Sequence, residues 1–253
     1  MRRKKLGFRA VAVVAQRPQE FAALGPGCRY HERMARAEKL APLEVAWEMK
    51  SVAGAESTIA VDERGCVRIR VHQLVRGVTP AMLVWWFGHL EGEAIYRGKA
   101  VPRFRLWHPR DHIALAVTRR DAEGNCGAGA RLRIVDVMGD DPDTLTDAEV
   151  DVVRFDDRGW AFEKRAGPLA PLRLEHDWAA ADGGVSYTCG LRLGSPSLFG
   201  QAILNRLLRA KLMPPAARTA FVKSNVEKIG NFEFFLPQLH ASALVGDDPP
   251  IAG

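Results

Sequence analysis

The sequence predicts an α+β domain in which a many-stranded antiparallel sheet curls around a long C-terminal helix. Three observations predict it. Between residues 67 and 193 the chain is a succession of short runs, most of them alternating or rich in β-formers, with turn signals between them. After Ser197 the apolar spacing changes to that of helices. The last stretch carries one continuous stripe of Phe221, Val222, Val226, Ile229, Phe232 and Leu236. With 253 residues, the chain bounds one large domain or at most two small ones.

Residues 1–41 read as an N-terminal extension, partly disordered or helical. Arg2-Arg3-Lys4-Lys5 followed by Ala10 to Ala15 mimics a leader loosely, but Arg9 interrupts the apolar run. Pro42 opens the domain, which extends to residue 240, and 241–253 read as a flexible tail. Val67-Arg68-Ile69-Arg70-Val71 has the period of a half-buried strand. Thr79-Pro80 is a helix start, a capping hydroxyl followed by proline in the first turn. Strands are expected at Phe104 to Trp107, Ile113 to Val117, Leu132 to Met138, Val150 to Phe155, Trp160 to Lys164, Leu172 to Trp178 and Val185 to Leu193. Asp182-Gly183-Gly184 makes a hairpin turn, while Asp121 to Gly129 and Gly139 to Asp147 read as polar loops. A helix lined by Leu198, Ile203, Leu204, Leu207 and Leu208 closes at Pro214-Pro215. The last helix is expected from about Ala216 to Phe235, with Pro237 ending it.

Composition excludes several function classes. The net charge of +6 is dispersed among acidic residues and comes with no nucleic-acid signature, so no nucleic-acid partner is expected. Cys28, Cys66, Cys126 and Cys189 form no CxxC pair, which excludes a zinc ribbon and a thioredoxin-like motif and fits reduced thiols in the cytoplasm. No apolar run reaches the roughly 20 residues of a membrane span, and no membrane partner is expected. The oligomeric state stays open, a homodimer included.

Three motifs stand out: Trp85-Trp86-Phe87, then Phe104-Arg105-Leu106-Trp107-His108-Pro109-Arg110-Asp111-His112, and Gly230-Asn231-Phe232-Glu233-Phe234-Phe235-Leu236-Pro237. Together they resemble the 2,4-diacetylphloroglucinol hydrolase and phloretin hydrolase family, from about Leu43 to His240. The resemblance implies a helix-grip (Bet v 1/START-like) fold, with a curved antiparallel sheet around the last helix and an internal cavity. It also implies zinc-dependent cleavage of a carbon–carbon bond beside an aryl ketone. Family members hold zinc with two histidines and two glutamates. Here His112 or His108 matches the first histidine, and Asp136 stands at the strand glutamate. Ser224 and Lys228 occupy the helical His-x-x-x-Glu pair, and neither is a good zinc ligand. Glu227 is adjacent, but its spacing places it toward the polar side of the helix. His176 matches the family's acid/base histidine, and Tyr187 offers a phenol for a substrate oxygen.

The expected site therefore combines His176, Tyr187, Lys228 and His112 as chemical groups with Trp85, Trp86, Phe104, Trp107, Ser224 and Phe221 as walls. No cofactor is expected unless zinc persists in an altered site of His112 or His108, Asp136 and Glu227. An inward Lys228 would put an ammonium where the family keeps its cation, near Asp136. Plain structural readings compete with all of this: hydrogen-bonded strand histidines at 108 and 112, an exposed strand residue at 176, core packing for the Trp-Trp-Phe triplet and a solvated lysine at 228. Three functions follow, with a small apolar or aromatic ketone as the partner in each. They are metal-free acid/base chemistry such as cyclisation or isomerisation, zinc-dependent hydrolysis of an acylated phenol or β-diketone, and non-catalytic binding.

Overall fold

Alternation along single strands builds the architecture. In the computed structural model, which describes residues 42–245 apart from 168, 196 and 198–203, strand β2 (Val67–Arg76) buries Val67, Ile69, Val71, Gln73 and Val75 and turns Arg68, Arg70 and Arg76 outward. The expectations for residues 1–41, Leu198, Ile203 and the end of the tail lie outside the described residues. Eight strands form one antiparallel sheet in the order β1-β2-β10-β9-β8-β7-β6-β5. They are β1 (Glu56–Val61), β2, β5 (His112–Arg119), β6 (Arg131–Met138), β7 (Asp141–Asp156), β8 (Gly159–Ala166), β9 (Leu169–Ala181) and β10 (Gly184–Leu193). β5 to β10 form a meander, and the pairing of β10 with β2 joins it to the first hairpin. Between β2 and β5 lie helix α1 (Pro80–Gly88), the hairpin β3 (Glu93–Tyr96) and β4 (Lys99–Pro102), and a short helix α2 (Arg103–Trp107).

The outer face carries one row of charge across seven strands. Cross-strand register places Arg68, Arg192, Arg173, Glu163, Asp151, Arg131 and Arg119 side by side. Ion pairs join Arg173 to Glu163 at 3.0 Å and Arg131 to Asp151 at 2.8 Å. Such pairs contribute about 0–1 kcal/mol each; their larger effect is to keep this face in water. The dispersed positive charge of the sequence is therefore largely the solvated side of the sheet.

After β10 come helix α3 (Asn205–Leu212) and helix α4 (Pro215–Val245); the inner face closes on α4, which packs against β2, β6, α1 and α2. Val226, Ile229, Phe232, Phe235 and Leu236 are buried there. This is the helix-grip arrangement: a curved antiparallel sheet wrapped around a long C-terminal helix. Among the described residues no helix is long and apolar enough to cross a membrane.

Several expectations are corrected. Pro237 lies inside α4, which continues to Val245, so residues 241–245 are helix and not tail. Proline removes one backbone donor, but burial of Leu236, Leu239 and Ser242 on either side holds the helix through it. Phe104 to Trp107 is helix α2, because helical spacing brings Phe104 and Trp107 to the same side, where their rings meet at 6.3 Å. The loop expected at 139–147 is mostly strand, since β7 begins at Asp141 directly after a tight turn with positive φ at Gly139 and Asp140. The hairpin β3–β4 went unread because its turn is Arg97-Gly98, both at positive φ, where Asn-Gly or Asp-Gly is the usual signal. At α1 the expectation holds: Thr79 Oγ accepts the Met82 N–H at 3.3 Å, and Pro80 opens the helix.

Candidate active site

Three elements converge on the ring of Trp107. α2 ends there, so Trp107 projects into the interior with 3% of its surface exposed, and its backbone carbonyl accepts a hydrogen bond from Asn231 Nδ2 at 3.0 Å. That bond satisfies a helix-end carbonyl that has no partner within the helix. It also explains the Gly-Asn-Phe-Glu motif. Asn231 Oδ1 accepts the indole N–H of Trp47, and Glu233 accepts from Lys50 Nζ at 2.5 Å and from the Arg76 N–H. Gly230 lets the Lys50 stem pass, since a Cβ there would lie 2.5 Å from Lys50 Cδ. The motif fastens α4 to α2, β2 and the segment around Trp47.

Around Trp107 stand His112 at 5.1 Å and His176 at 5.6 Å between ring centroids, with the Lys228 ammonium 5.1 Å from its centroid. His112, the first residue of β5, stacks flat on Phe104 at 3.9 Å. Its Nδ1–H donates to the Phe104 carbonyl at 2.9 Å, which leaves Nε2 as a lone pair. Burial and the neighbouring Lys228 push its pKa well below the usual histidine range. Asp136 faces His112 across the β5–β6 register. Burial raises its pKa to about 7, against the opposing pull of Lys228. Lys228 itself is 7% exposed, and burial lowers its pKa. Its amine has no hydrogen bond and no ion pair among the described residues, so it lies near Asp136 without a direct salt bridge.

His176 is fully buried on β9, between Cys189 of β10 and Trp160 of β8. Its Nδ1 shares a proton with the Tyr187 hydroxyl at 2.9 Å. Burial, then the charges of Lys228 and Arg154, hold its pKa well below normal, and burial drives the Tyr187 phenol well above its own. Both groups are therefore neutral near pH 7. Among the described residues His176 Nε2 has no partner, and neither do the buried indole N–H groups of Trp86, Trp107 and Trp160. Trp107 and Trp160 each lie within 5.7 Å of the His176 ring, centroid to centroid, and Trp86 lies 6.2 Å from Trp107. Unpaired buried donors are costly in a native interior. Here they gather around one histidine.

The other expected residues divide. Trp86 belongs to this ring cluster. Ser224 is buried one turn before Lys228 on α4. Trp85 is not part of the cluster; it stacks on His89, meets His240 edge-on and lies under Arg103, on the other side of α1. Phe221 is in the core but two turns from Lys228 and without a ring contact to the Trp107 group. His108 lies beside His112, ring centroids 5.7 Å apart, but both its ring nitrogens are engaged by other partners. Its Nδ1 accepts the Asp111 N–H at 3.0 Å, so Nε2 carries the proton and donates to Glu227 at 3.2 Å. Glu227 is thus buried at 8% exposure and not on a polar face, because α4 presents it to the end of α2. Asp111, the aspartate of the same motif, accepts the N–H groups of Gly139 and Asp140 and holds the β6–β7 turn.

The His108–Glu227 contact gives a stability prediction. His108→Ala leaves Glu227 buried with only Lys223 at 3.8 Å, and is expected to cost about 3 kcal/mol. A double-mutant cycle with Glu227→Gln, measured by urea unfolding, is expected to give a coupling of about 1.5–3 kcal/mol. Independent losses would refute the bond.

The donor set does not fit the zinc that the resemblance implies. Among the described residues no three His, Cys, Asp or Glu side chains are grouped to hold a metal. His108 and Glu227 are engaged with each other, and an ammonium sits beside Asp136 and His112.

Comparison with known proteins agrees with the first two sequence motifs, Trp85-Trp86-Phe87 and Phe104 to His112. Residues 51–138 match the family described as DAPG hydrolase PhiG domain, a span that takes in α1, α2, His108, His112 and Asp136. No curated protein matches the chain. Among solved structures, Ara h 8.0201 is 12% identical, covering 64% of this chain and 97% of its own, with a TM-score of 0.34. The KanY protein is 12% identical, covering 71% and 96%, with a TM-score of 0.43. The di-domain ARO/CYC BexL from the BE-7585A biosynthetic pathway is 10% identical, covering 68% and 50%, with a TM-score of 0.44. The resemblance carried by the aromatic and histidine motifs is thus a match to the DAPG hydrolase family, made over residues 51–138.

Proposed function

We propose that the protein is a cytoplasmic, diacetylphloroglucinol hydrolase-like enzyme that performs metal-free acid/base chemistry, a cyclisation or isomerisation, on an aromatic or polyketide-type ketone. The guest lies in an apolar cavity between the sheet and α4. One observation carries the reading: His176 is paired to Tyr187 through Nδ1, while its Nε2 stands bare among unpaired indole donors. A neutral imidazole in that position accepts a proton at Nε2 while Nδ1–H donates to the Tyr187 oxygen, and returns the proton later in the cycle. The N–H groups of Trp107 and Trp160 are suited to carbonyl or phenol oxygens, and the surrounding rings to a flat apolar body. The Lys228 charge favours an enolate or phenolate over the neutral ketone. The free thiols of Cys66, Cys126 and Cys189 accord with a reducing compartment.

The family match favours a second reading, hydrolytic C–C cleavage of an acylated phenol or β-diketone. Incubating the purified full chain with aryl 1,3-diketones and acylated phenols, with product masses recorded, separates the possibilities. An isomeric or dehydrated product supports the first reading, and two fragments that together contain one added water support the second. His176→Ala is expected to lower the rate by about 10²–10⁴-fold with unchanged circular dichroism. Tight binding without turnover would make the protein a carrier and refute both enzymatic readings. Stoichiometric zinc in the active protein would refute the metal-free one.

A further inference from the structure

We propose that Lys228 is a nucleophile that binds the ketone covalently, as an imine, its amine lying buried on the Trp107 ring beside His112 and His176 with no hydrogen bond or ion pair to restrain it. The proposal rests on the ketone reading above and assigns Lys228 a bond-forming role that an electrostatic cation would not have.

Three features of the site favour it. A lysine kept only as a counter-ion would be expected to touch its carboxylate, yet neither Asp136 nor Asp111 pairs with it. Of the groups around the amine, Trp107 offers a π-face, His112 and His176 are neutral bases, and Cys189, Asp136 and Asp111 act on it only through space, without a hydrogen bond or ion pair among the described residues. Burial also lowers the amine's pKa, which enlarges its uncharged, nucleophilic fraction near neutral pH.

The steps balance without any oxidant or metal. Nζ of the neutral amine attacks the carbonyl carbon, and the C=O electron pair moves to oxygen, which is protonated. The carbinolamine loses that hydroxyl as water, leaving an iminium. His176 Nε2 then takes a proton from the carbon next to the iminium; the C–H electron pair becomes the C=C bond of an enamine, and the C=N π pair returns to nitrogen. Reprotonation at a different position completes an isomerisation; attack of the enamine carbon on a second carbonyl closes a ring. Water hydrolyses the imine, returns the oxygen atom and frees Lys228. Two neutral imidazoles and an amine with no bound partner among the described residues, gathered on one indole, are suited to this sequence.

The experiment uses the full-length chain and 1-phenylbutane-1,3-dione as the probe, followed by borohydride, with intact mass and peptide mapping. The expected adduct weighs the diketone less one water plus two hydrogens, near one per chain, and maps to Lys228. It is lost in Lys228→Arg and kept in Lys223→Arg, whose lysine is exposed one turn away on the same helix. Adduct yield is expected to rise with pH and level off below the range of the surface lysines. Quenching of tryptophan fluorescence by the probe reports binding in the same sample. Quenching of the wild type without an adduct at Lys228, or adducts spread over surface lysines, overturns the nucleophile and leaves the ketone reading intact. Neither quenching nor adduct overturns both. The mapping on wild-type protein decides even if Lys228→Arg fails to fold.

Discussion

Replacing Phe232 by alanine is expected to lower stability by about 3–5 kcal/mol. Phe232 is fully buried on α4. Its ring meets Trp86 at 5.7 Å, Phe87 at 6.4 Å, Trp107 at 5.5 Å, Tyr187 at 6.1 Å and Phe235 at 5.9 Å. Truncation leaves a void walled by large rigid rings that cannot collapse into it, so the cavity cost adds to the lost burial. Phe234, two residues on, is 41% exposed and stacks only on Trp47. Its alanine variant is expected to lose about 1 kcal/mol. Urea unfolding of the two variants checks the contrast through the midpoint at constant slope. Equal losses would mean that the ring cluster is not the packed centre of the domain.

The same helix shows how far the sequence could be read. Its apolar stripe Phe221, Val222, Val226, Ile229, Phe232 and Leu236 is the face that the sheet covers, and the alternation at Val67 to Val71 is the inner face of β2. Periodicity reports burial, so these elements were legible. Termini and turns were less so, because they depend on single contacts. Pro237 is a stop signal by chemistry, yet packing on both sides keeps the helix intact. Phe104-Arg105-Leu106-Trp107 alternates like a strand, and only the burial of Phe104, Leu106 and Trp107 together identifies a helical turn. For the site, residue type signalled His176, Tyr187 and Lys228, but direction could not be read. His108 and His112 are four residues apart in one motif and turn to different partners, Glu227 and the Phe104 carbonyl. Trp85 and Trp86 are adjacent on α1 and separate in the same way. The buried polar residues of α4 share a further sign. Ser224, Lys228 and Asn231 recur at helical spacing within a buried apolar stripe, and helical faces that bury polar residues in register hold them for hydrogen bonding or chemistry.

Asp136→Asn is expected to stabilise the protein above pH 7 and to have little effect below pH 4. The Asp136 carboxyl has a pKa of about 7 in the folded chain against 3.8 for the free group, with burial as the main cause and Asp111 adding to it. In that interval the folded state binds a proton that the unfolded state has released. Stability from this residue therefore falls as pH rises from about 4 to about 7 and stays low beyond. That difference corresponds to about 4 kcal/mol; because Asp136 is only partly buried, a gain of about 2–3 kcal/mol is expected from the asparagine. His112 and His176 act with the opposite sign. Their folded pKa values lie below the free value of 6.5, so the stability they allow is present above it and is lost on acidification. Only the difference between wild type and variant isolates Asp136, and thermal melts from pH 4 to pH 8 supply it. A loss of stability at pH 8 would show that attraction to the Lys228 ammonium outweighs the cost of burying the carboxylate. Lys228 would then be a counter-ion held charged, and unavailable as an amine. A gain would show the reverse: Asp136 is kept at the edge of ionisation by its surroundings, and the lysine beside it is left free to react.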